Sequence, residues 1–340
     1  MYVFDMPRAR LIIRNEKFGV HYHCVSRVVD RNFVFGAHER DVFRKVMCQV
    51  EAFSGVRVVT WTILSNHFHV LLEVPPRPAV PLSDEQILDR CRALYSRRAM
   101  VEVEWDFQEA QRAGGEAVQK WRGKYLRRMW DLSEFMKTLK QKFTVWFNRH
   151  HQRVGTLWES RYKSVIVEGA GDALCRVAAY IDLNAVRAGL VEDPKDYRWC
   201  GYAEAVAGDA RARKRFVSAL GGELPRVSWR EVGARYRKIL FGIGEQDAGR
   251  RGISRREVAE VWRAGGKLSP AQLLRCRVRY FTDGLAIGSA AFVEKVFATR
   301  RSAFGEARQN GARKLAGGDW GGLCTARALR VDPLSIGGDG

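Results

Sequence analysis

The sequence predicts an α+β protein: an antiparallel sheet with helices packed on one face. Three observations carry that prediction. Apolar, β-branched runs occupy residues 20–29, 56–64 and 67–74, and a fourth ends near residue 168. Apolar residues at helical spacing lie between the first and second runs and again over 132–147. Gly, Pro and Ser-Asn breaks stand at the joins, where turns are expected.

The elements follow in order. VHYHCVSRVV (20–29) reads as a first strand. Residues 39–53 carry Val42, Phe43, Val46, Met47 and Val50 at helical spacing, and Gly55 is suited to stop that helix. VRVVTWTIL, a break at Ser65-Asn66, and HFHVLLEV then read as two strands joined by a tight turn. PPRPAVP (75–81) closes the second of them and opens a charged stretch, so about 76–131 is expected to be a helical insertion. From 132 to 147 one helical stripe is formed by Leu132, Phe135, Met136, Leu139, Phe143, Trp146 and Phe147, with Lys137, Lys140, Lys142 and Arg149 off the stripe or at its end. TLWESRYKSVIVE after Gly155 ends as a strand. Gly169 to Gly171 make a turn, Asp172 is placed to cap a helix, and that helix runs to about Arg187, with Gly189 as its stop. Strand, helix, strand, strand, helix, strand, helix is satisfied by an antiparallel sheet and is close to the split βαβ pattern.

Two regions are expected: 1–205, holding these elements, and 206–340, a basic and mainly helical C-terminal extension. Within the extension, SRREVAEVWRAGGKLSPAQLLRCRVRYF (254–281) reads as two helices around Gly265-Gly266, a helical hairpin or a helix-turn-helix-like element.

Bulk properties narrow the function. In 340 residues, 58 Lys and Arg stand against 38 Asp and Glu, a net charge of +20. Such an excess repels itself unless something anionic binds, and nucleic acid is the commonest such partner. No run is long and apolar enough for a membrane span, and the N-terminus lacks the pattern of a secretory signal. Seven scattered cysteines with no C-x-x-C pair read as free thiols in a reducing cytoplasm.

Three groups of residues carry chemistry. In Asn66-His67-Phe68-His69 the histidines alternate, so on a strand they share a face and two neutral imidazoles there can hold a divalent cation. Two nitrogens are too few for a structural zinc site, so a further oxygen ligand is needed. His21-Tyr22-His23 offers a rival pair, and spacing does not choose between them. On the helix after Asp172, Leu174, Val177, Ala178 and Ile181 form the buried stripe, while Arg176, Tyr180 and Asn184 line another face. A tyrosine off the stripe is available to react, though a phenol with a pKa near ~10 needs a cation or base to help it. The third group mixes cations and aromatics: Arg149, His150, His151, Arg153, Trp158, Arg161, Tyr162 and Lys163. Cations bind phosphates and aromatics stack on unpaired bases. A solvated helix end and a core tryptophan explain the same residues.

Taken together, YHCVSR (22–27), LSNHFHVLLE (64–73), GTLWESRYKS (155–164) and YIDLNAVRAGLV (180–191) resemble the single-tyrosine transposases of the HUH nuclease superfamily, nearest the REP-associated tyrosine transposases. The resemblance covers most of 20–202 outside the insertion. It implies a ferredoxin-like or RRM-like sheet, in keeping with the element order. It also implies a metal site of His67, His69 and Asn184 holding Mg²⁺ or Mn²⁺, and Tyr180 as nucleophile. The activity implied is cleavage and rejoining of single-stranded DNA near hairpins through a 5′-phosphotyrosine, in a cytoplasmic, nucleoid-associated protein, with a homodimer among the family's assemblies. Arg161, Lys163, Arg149, Arg153, Lys140 and, by stacking, Trp158 are the candidate DNA contacts. Two other functions fit the same residues: a domesticated hairpin-binding protein that no longer cuts, and a metal phosphoesterase that uses water. The chain departs from the family in having Asn184-Ala185-Val186 where relatives usually have Asn-Pro-Val, in the length of 75–131, and in its basic extension. TDGLAIGSAAFVEKVF (282–297) looks like a segment of the family's longer members.

Overall fold

A computed structural model describes residues 11–13, 17–221, 227–242, 255–263, 268–327, 329 and 334–335. Its strands are β1 (Val20–Arg27), β2 (Arg57–Ile63), β3 (His67–Val74), β4 (Lys163–Val167), β5 (Arg277–Val278), β6 (Ala286–Gly288), β7 (Arg313–Lys314), β8 (Cys324–Thr325) and β9 (Leu334–Ser335). Helices of the first half are α1 (Ala37–Ser54), α2 (Asp84–Leu94), α3 (Arg97–Ala113), α4 (Gly115–Leu126), α5 (Leu132–His150), α6 (Gly171–Asp182) and α7 (Asn184–Arg187). Those that follow are α8 (Gly201–Ala207), α9 (Ala210–Leu220), α10 (Trp229–Phe241), α11 (Arg255–Arg263), α12 (Pro270–Leu273), α13 (Tyr280–Asp283) and α14 (Ala290–Thr299).

The first four strands pair antiparallel in the order β2-β3-β1-β4. This is the ferredoxin-like arrangement that the element order predicts. Alternation assigns each side chain its layer. Tyr22 and Cys24 of β1, Phe68, Val70 and Leu72 of β3, and Ile166 of β4 join Phe43, Val46 and Val50 of α1 and Phe135, Leu139 and Phe143 of α5 in one apolar core. Gly55 ends α1 with a φ of 72°, a left-handed conformation natural to glycine. The charged stretch after β3 is helical as expected, and α2 packs against α1.

The other face is also covered, so the expected helical layer is one of two. Val59, Leu71, Val165 and Val167 share a second core with α6, α8, α9 and α10 and with Leu273, Cys276 and Phe281 of the C-terminal region. That region adds to the sheet itself: β6 runs parallel to β4, and β8 and β7 follow antiparallel. The predicted helical pair at 254–281 is not two full helices. α11 is followed by the single turn of α12, then by β5 and α13, while Gly265-Gly266 lie outside the described residues. No helix among the described residues is long and apolar enough to cross a membrane.

Between the layers, a buried carboxyl fastens the end of α6. Asp182 accepts from Thr60 Oγ1 at 2.7 Å and from Tyr236 Oη at 2.5 Å. Burial pushes its pKa up to about 7 from an ordinary 3.8. A carboxyl that holds its proton longer when folded makes the protein less stable as pH rises from about 4 to about 7. Asp182→Asn is expected to flatten that part of the curve of melting temperature against pH. An unchanged slope would show that Asp182 does not titrate in that window.

Candidate active site

The site is assembled from β1, β3 and α6. On β3, Phe68 and Val70 enter the first core, which turns His67 and His69 toward α6. Pairing sets Val25 of β1 opposite His69 and His23 opposite Leu71, so His23 is a diagonal neighbour of His69 on the same face. The rings of His67 and His69 lie 5.2 Å apart, and those of His23 and His69 5.1 Å apart. Tyr180 stands edge-on to both His23 and His69, at 6.2 and 6.3 Å between ring centres. The two histidine pairs that spacing left as rivals are thus not alternatives. His23 joins the HFH pair, whereas His21 lies at the outer end of β1 beside Gly169.

Hydrogen bonds orient the histidine rings. Asn66 Nδ2 donates to the Arg31 carbonyl at 3.1 Å, which leaves its Oδ1 facing His67 Nδ1 at 2.6 Å. An amide oxygen only accepts, so Nδ1 of His67 is the donor of that bond. For His69, burial holds the pKa well below 6.5, with His23 and His67 adding to the effect, so the ring is neutral. Its Nδ1 meets His23 Nε2 at 2.9 Å, and its buried Nε2 has no hydrogen-bond partner among the described residues. Such an orphaned buried nitrogen is what a cation ligand looks like before its cation binds.

α6 supplies the phenol. The predicted single helix is broken at Leu183 into α6 and α7, and Asp172 lies in the first turn, where it pairs with Arg176, rather than at the cap. Tyr180 is not on an open face as the helical stripe suggested; it is 0% exposed, because the C-terminal region covers the side of α6 that the sheet does not. Phe281 packs edge-on to it at 5.0 Å. Arg187, which sequence reasoning passed over, lies over its ring at 3.8 Å. That guanidinium donates to the carbonyls of Tyr180 (2.7 Å) and Leu274 (2.8 Å) and to Asn184 Oδ1 (2.6 Å). It therefore ties the phenol's helix to the C-terminal region and puts positive charge on the face of the ring that becomes electron-rich on ionisation. Asn184 Nδ2 in turn donates to the Ile181 carbonyl at 3.0 Å. Its Oδ1 retains a second lone pair beyond the one Arg187 uses. Imidazole nitrogens and an amide oxygen are groups that could hold a divalent cation.

Arg187→Lys is expected to lower the melting temperature by several degrees. An ammonium cannot span three acceptors held by a planar fork, and each one stranded costs about 1–3 kcal/mol. A thermal melt within a degree of wild type would contradict that structural role.

The candidate DNA contacts fall elsewhere. Lys140, Arg149 and Arg161, with Lys45, Lys137 and Lys142, line a groove of about 1250 Å³ along α1 and α5, on the opposite side of the sheet from Tyr180. Arg153 is held by Asn148 and by the Thr156 carbonyl. Lys163 pairs with Asp283 at 2.8 Å. Trp158 also lines this groove, but most of its ring is buried among Phe35, Phe43, Phe68 and Phe143, and its indole donates to Thr144. Three other side chains close enough to hold a metal ion, Glu39, His150 and His151, lie where α1 begins and α5 ends. Glu39 and His151 already bond one another at 3.1 Å.

Residues 16–101 match the family described as Transposase IS200 like. They hold β1, α1, β2 and β3, and with them His23, His67 and His69. Among solved structures, one described as the REP-associated tyrosine transposase bound to a REP hairpin is similar at 15% identity and a TM-score of 0.35, over 58% of this chain and 85% of that one. No curated protein matches the chain.

Proposed function

We propose, from the match of residues 16–101 to the IS200-like transposases, that the protein is a transposase that cleaves and rejoins single-stranded DNA near hairpins through Tyr180. The observation that carries this reading is the meeting of His67, His69 and Tyr180 on one buried face of the sheet. In this reading Tyr180 Oη gives up its proton and attacks the scissile phosphorus. The bond from phosphorus to the 3′-oxygen breaks, that oxygen takes up a proton, and a 5′-phosphotyrosine remains. A later 3′-OH attacks the same phosphorus and releases the phenol, so no external energy source is needed. Arg187 holds Tyr180 and favours its anionic form. His67 Nε2, His69 Nε2 and Asn184 Oδ1 would hold Mg²⁺ or Mn²⁺, which supplies Lewis acidity toward a non-bridging phosphate oxygen. Tyr180 and both histidines are buried, so DNA reaches them only after part of their cover moves.

The basic groove along α5 is offered as a place for the hairpin's phosphates, away from the chemistry. Hairpin-bearing single strands incubated with Mn²⁺ or Mg²⁺ and resolved on a denaturing gel test the reading. Metal-dependent nicking on the single strand, absent from plain duplex, is the expected result. Tight binding of several hairpins without a nick would instead favour a protein that only binds.

A further inference from the structure

We propose that Glu39, His150 and His151 form a cation site of their own, suited to Zn²⁺, which clips the start of α1 to the end of α5 beside the basic groove. The site belongs to the helical layer packed on the first core, across the sheet from Tyr180. It stands independently of the reading of Tyr180, His67 and His69.

The three side chains come from two helix ends that the fold brings together. One ligand atom of each lies within 4.8 Å of the other two. Zinc bonds of about 2.0–2.1 Å in a tetrahedron set ligand atoms about 3.3 Å apart, so modest side-chain rotations close the site. One edge is already that short: His151 Nε2 stands 3.1 Å from Glu39 Oε1. The carboxylate is held in place. Its Oε2 lies over Gly36, where a Cβ would come to 2.5 Å from it. Glu39 is buried in the first turn of α1, where negative charge is favoured. The imidazoles are held by their own helix. His150 stacks on Trp146 at 5.2 Å and His151 lies 4.3 Å from Phe147, each against the residue four back. Neighbouring side chains on a continuous helix diverge by about 100°. Here α5 ends at His150 with His151 as its cap, and the two rings lie 4.9 Å apart. The end of a helix also favours positive charge. A Glu39–His151 pair accounts for two of these side chains but not for the third, which brings a ring nitrogen to the same carboxylate. Two imidazoles and one carboxylate make a zinc ligand set that leaves a position for water, and both histidines are exposed, which keeps that position open. Such nitrogen donors bind Zn²⁺ ahead of Mn²⁺, and Mg²⁺ prefers oxygen. Trp146 and Arg149, in the last turn of α5, line the basic groove, so a cation here joins the two helices that wall it.

The test uses full-length protein stripped of metal with chelator and titrated with Zn²⁺ alone. Calorimetry gives the affinity and the number of sites, and a thermal melt gives the stabilisation by zinc. In His150→Ala and in His151→Ala a zinc site present in the wild type is expected to weaken ~10-fold or more. The same site should persist in His67→Ala. Because both histidines are exposed, their variants can be checked for folding by melts without metal, which should stay close to wild type. Glu39→Gln keeps an oxygen that accepts from His151 but offers zinc a neutral, poorer ligand, so zinc affinity should fall there too while the contact between the helices remains. Three results overturn the proposal: no zinc bound by the wild type, equal zinc affinity in the wild type and both histidine variants, or loss of all zinc binding in His67→Ala. The last would assign the ion to the face beside Tyr180 instead.

Discussion

Tyr180→Phe is expected to abolish covalent attachment to DNA while leaving hairpin binding and thermal stability close to wild type. The change removes one oxygen and keeps the ring. That ring makes the contacts that matter for packing: the guanidinium of Arg187 over its face and the edge contacts to His23, His69 and Phe281. The imidazoles of His67 and His69 are untouched. Loss of a nucleophile with its surroundings intact lowers turnover by ~10³-fold or more. A phosphoesterase that uses water would keep most of its cleavage in the same variant. Retained cleavage without an adduct would therefore reassign the reaction and leave Tyr180 as a packing residue.

His67→Ala is expected to have the next largest effect. It removes the lone pair that Asn66 orients and leaves the His23–His69 bond in place. With two of three ligands remaining, Mn²⁺ should no longer raise the melting temperature, because a ligand stabilises only in proportion to how far its concentration exceeds its dissociation constant. Metal-dependent nicking should disappear together with the thermal shift. A Mn²⁺-induced shift equal to wild type would place the cation elsewhere, with Glu39, His150 and His151 the first residues to examine.

The sheet was legible in the sequence because continuous apolar, β-branched runs report directly on strands buried on both faces. β3 shows this well: its Phe68, Val70 and Leu72 set the register that aims His67 and His69 at α6. The stripe of α5 was legible for the same reason, and it is buried much as predicted. Burial of α6 on its second side was not legible. Helical periodicity marks the face toward a neighbouring layer, and Tyr180 lies off that stripe. What buries it is Phe281, about a hundred residues further on, together with Arg187, whose guanidinium is satisfied by three oxygens that no local pattern links. The burial of most of the Trp158 ring was not legible either, because an aromatic residue among cations reads the same way in a core as in a binding face. Strands of two or three residues, such as β6 and β8, are too short for any period to register. The rivalry between His21-x-His23 and His67-x-His69 had a cause of the same kind. Strand pairing, which spacing along one strand cannot contain, is what makes His23 a partner of His69.

In the proposed reaction Tyr180 bonds covalently to DNA when a divalent cation is present. Full-length protein incubated with hairpin-bearing single-stranded DNA and Mn²⁺, digested and analysed by peptide mass, tests it most directly. The expected result is a nucleotide adduct on the peptide containing Tyr180, formed with Mn²⁺ and absent with chelator. Cleaved DNA with that peptide unmodified, or an adduct on another residue, would contradict the claim.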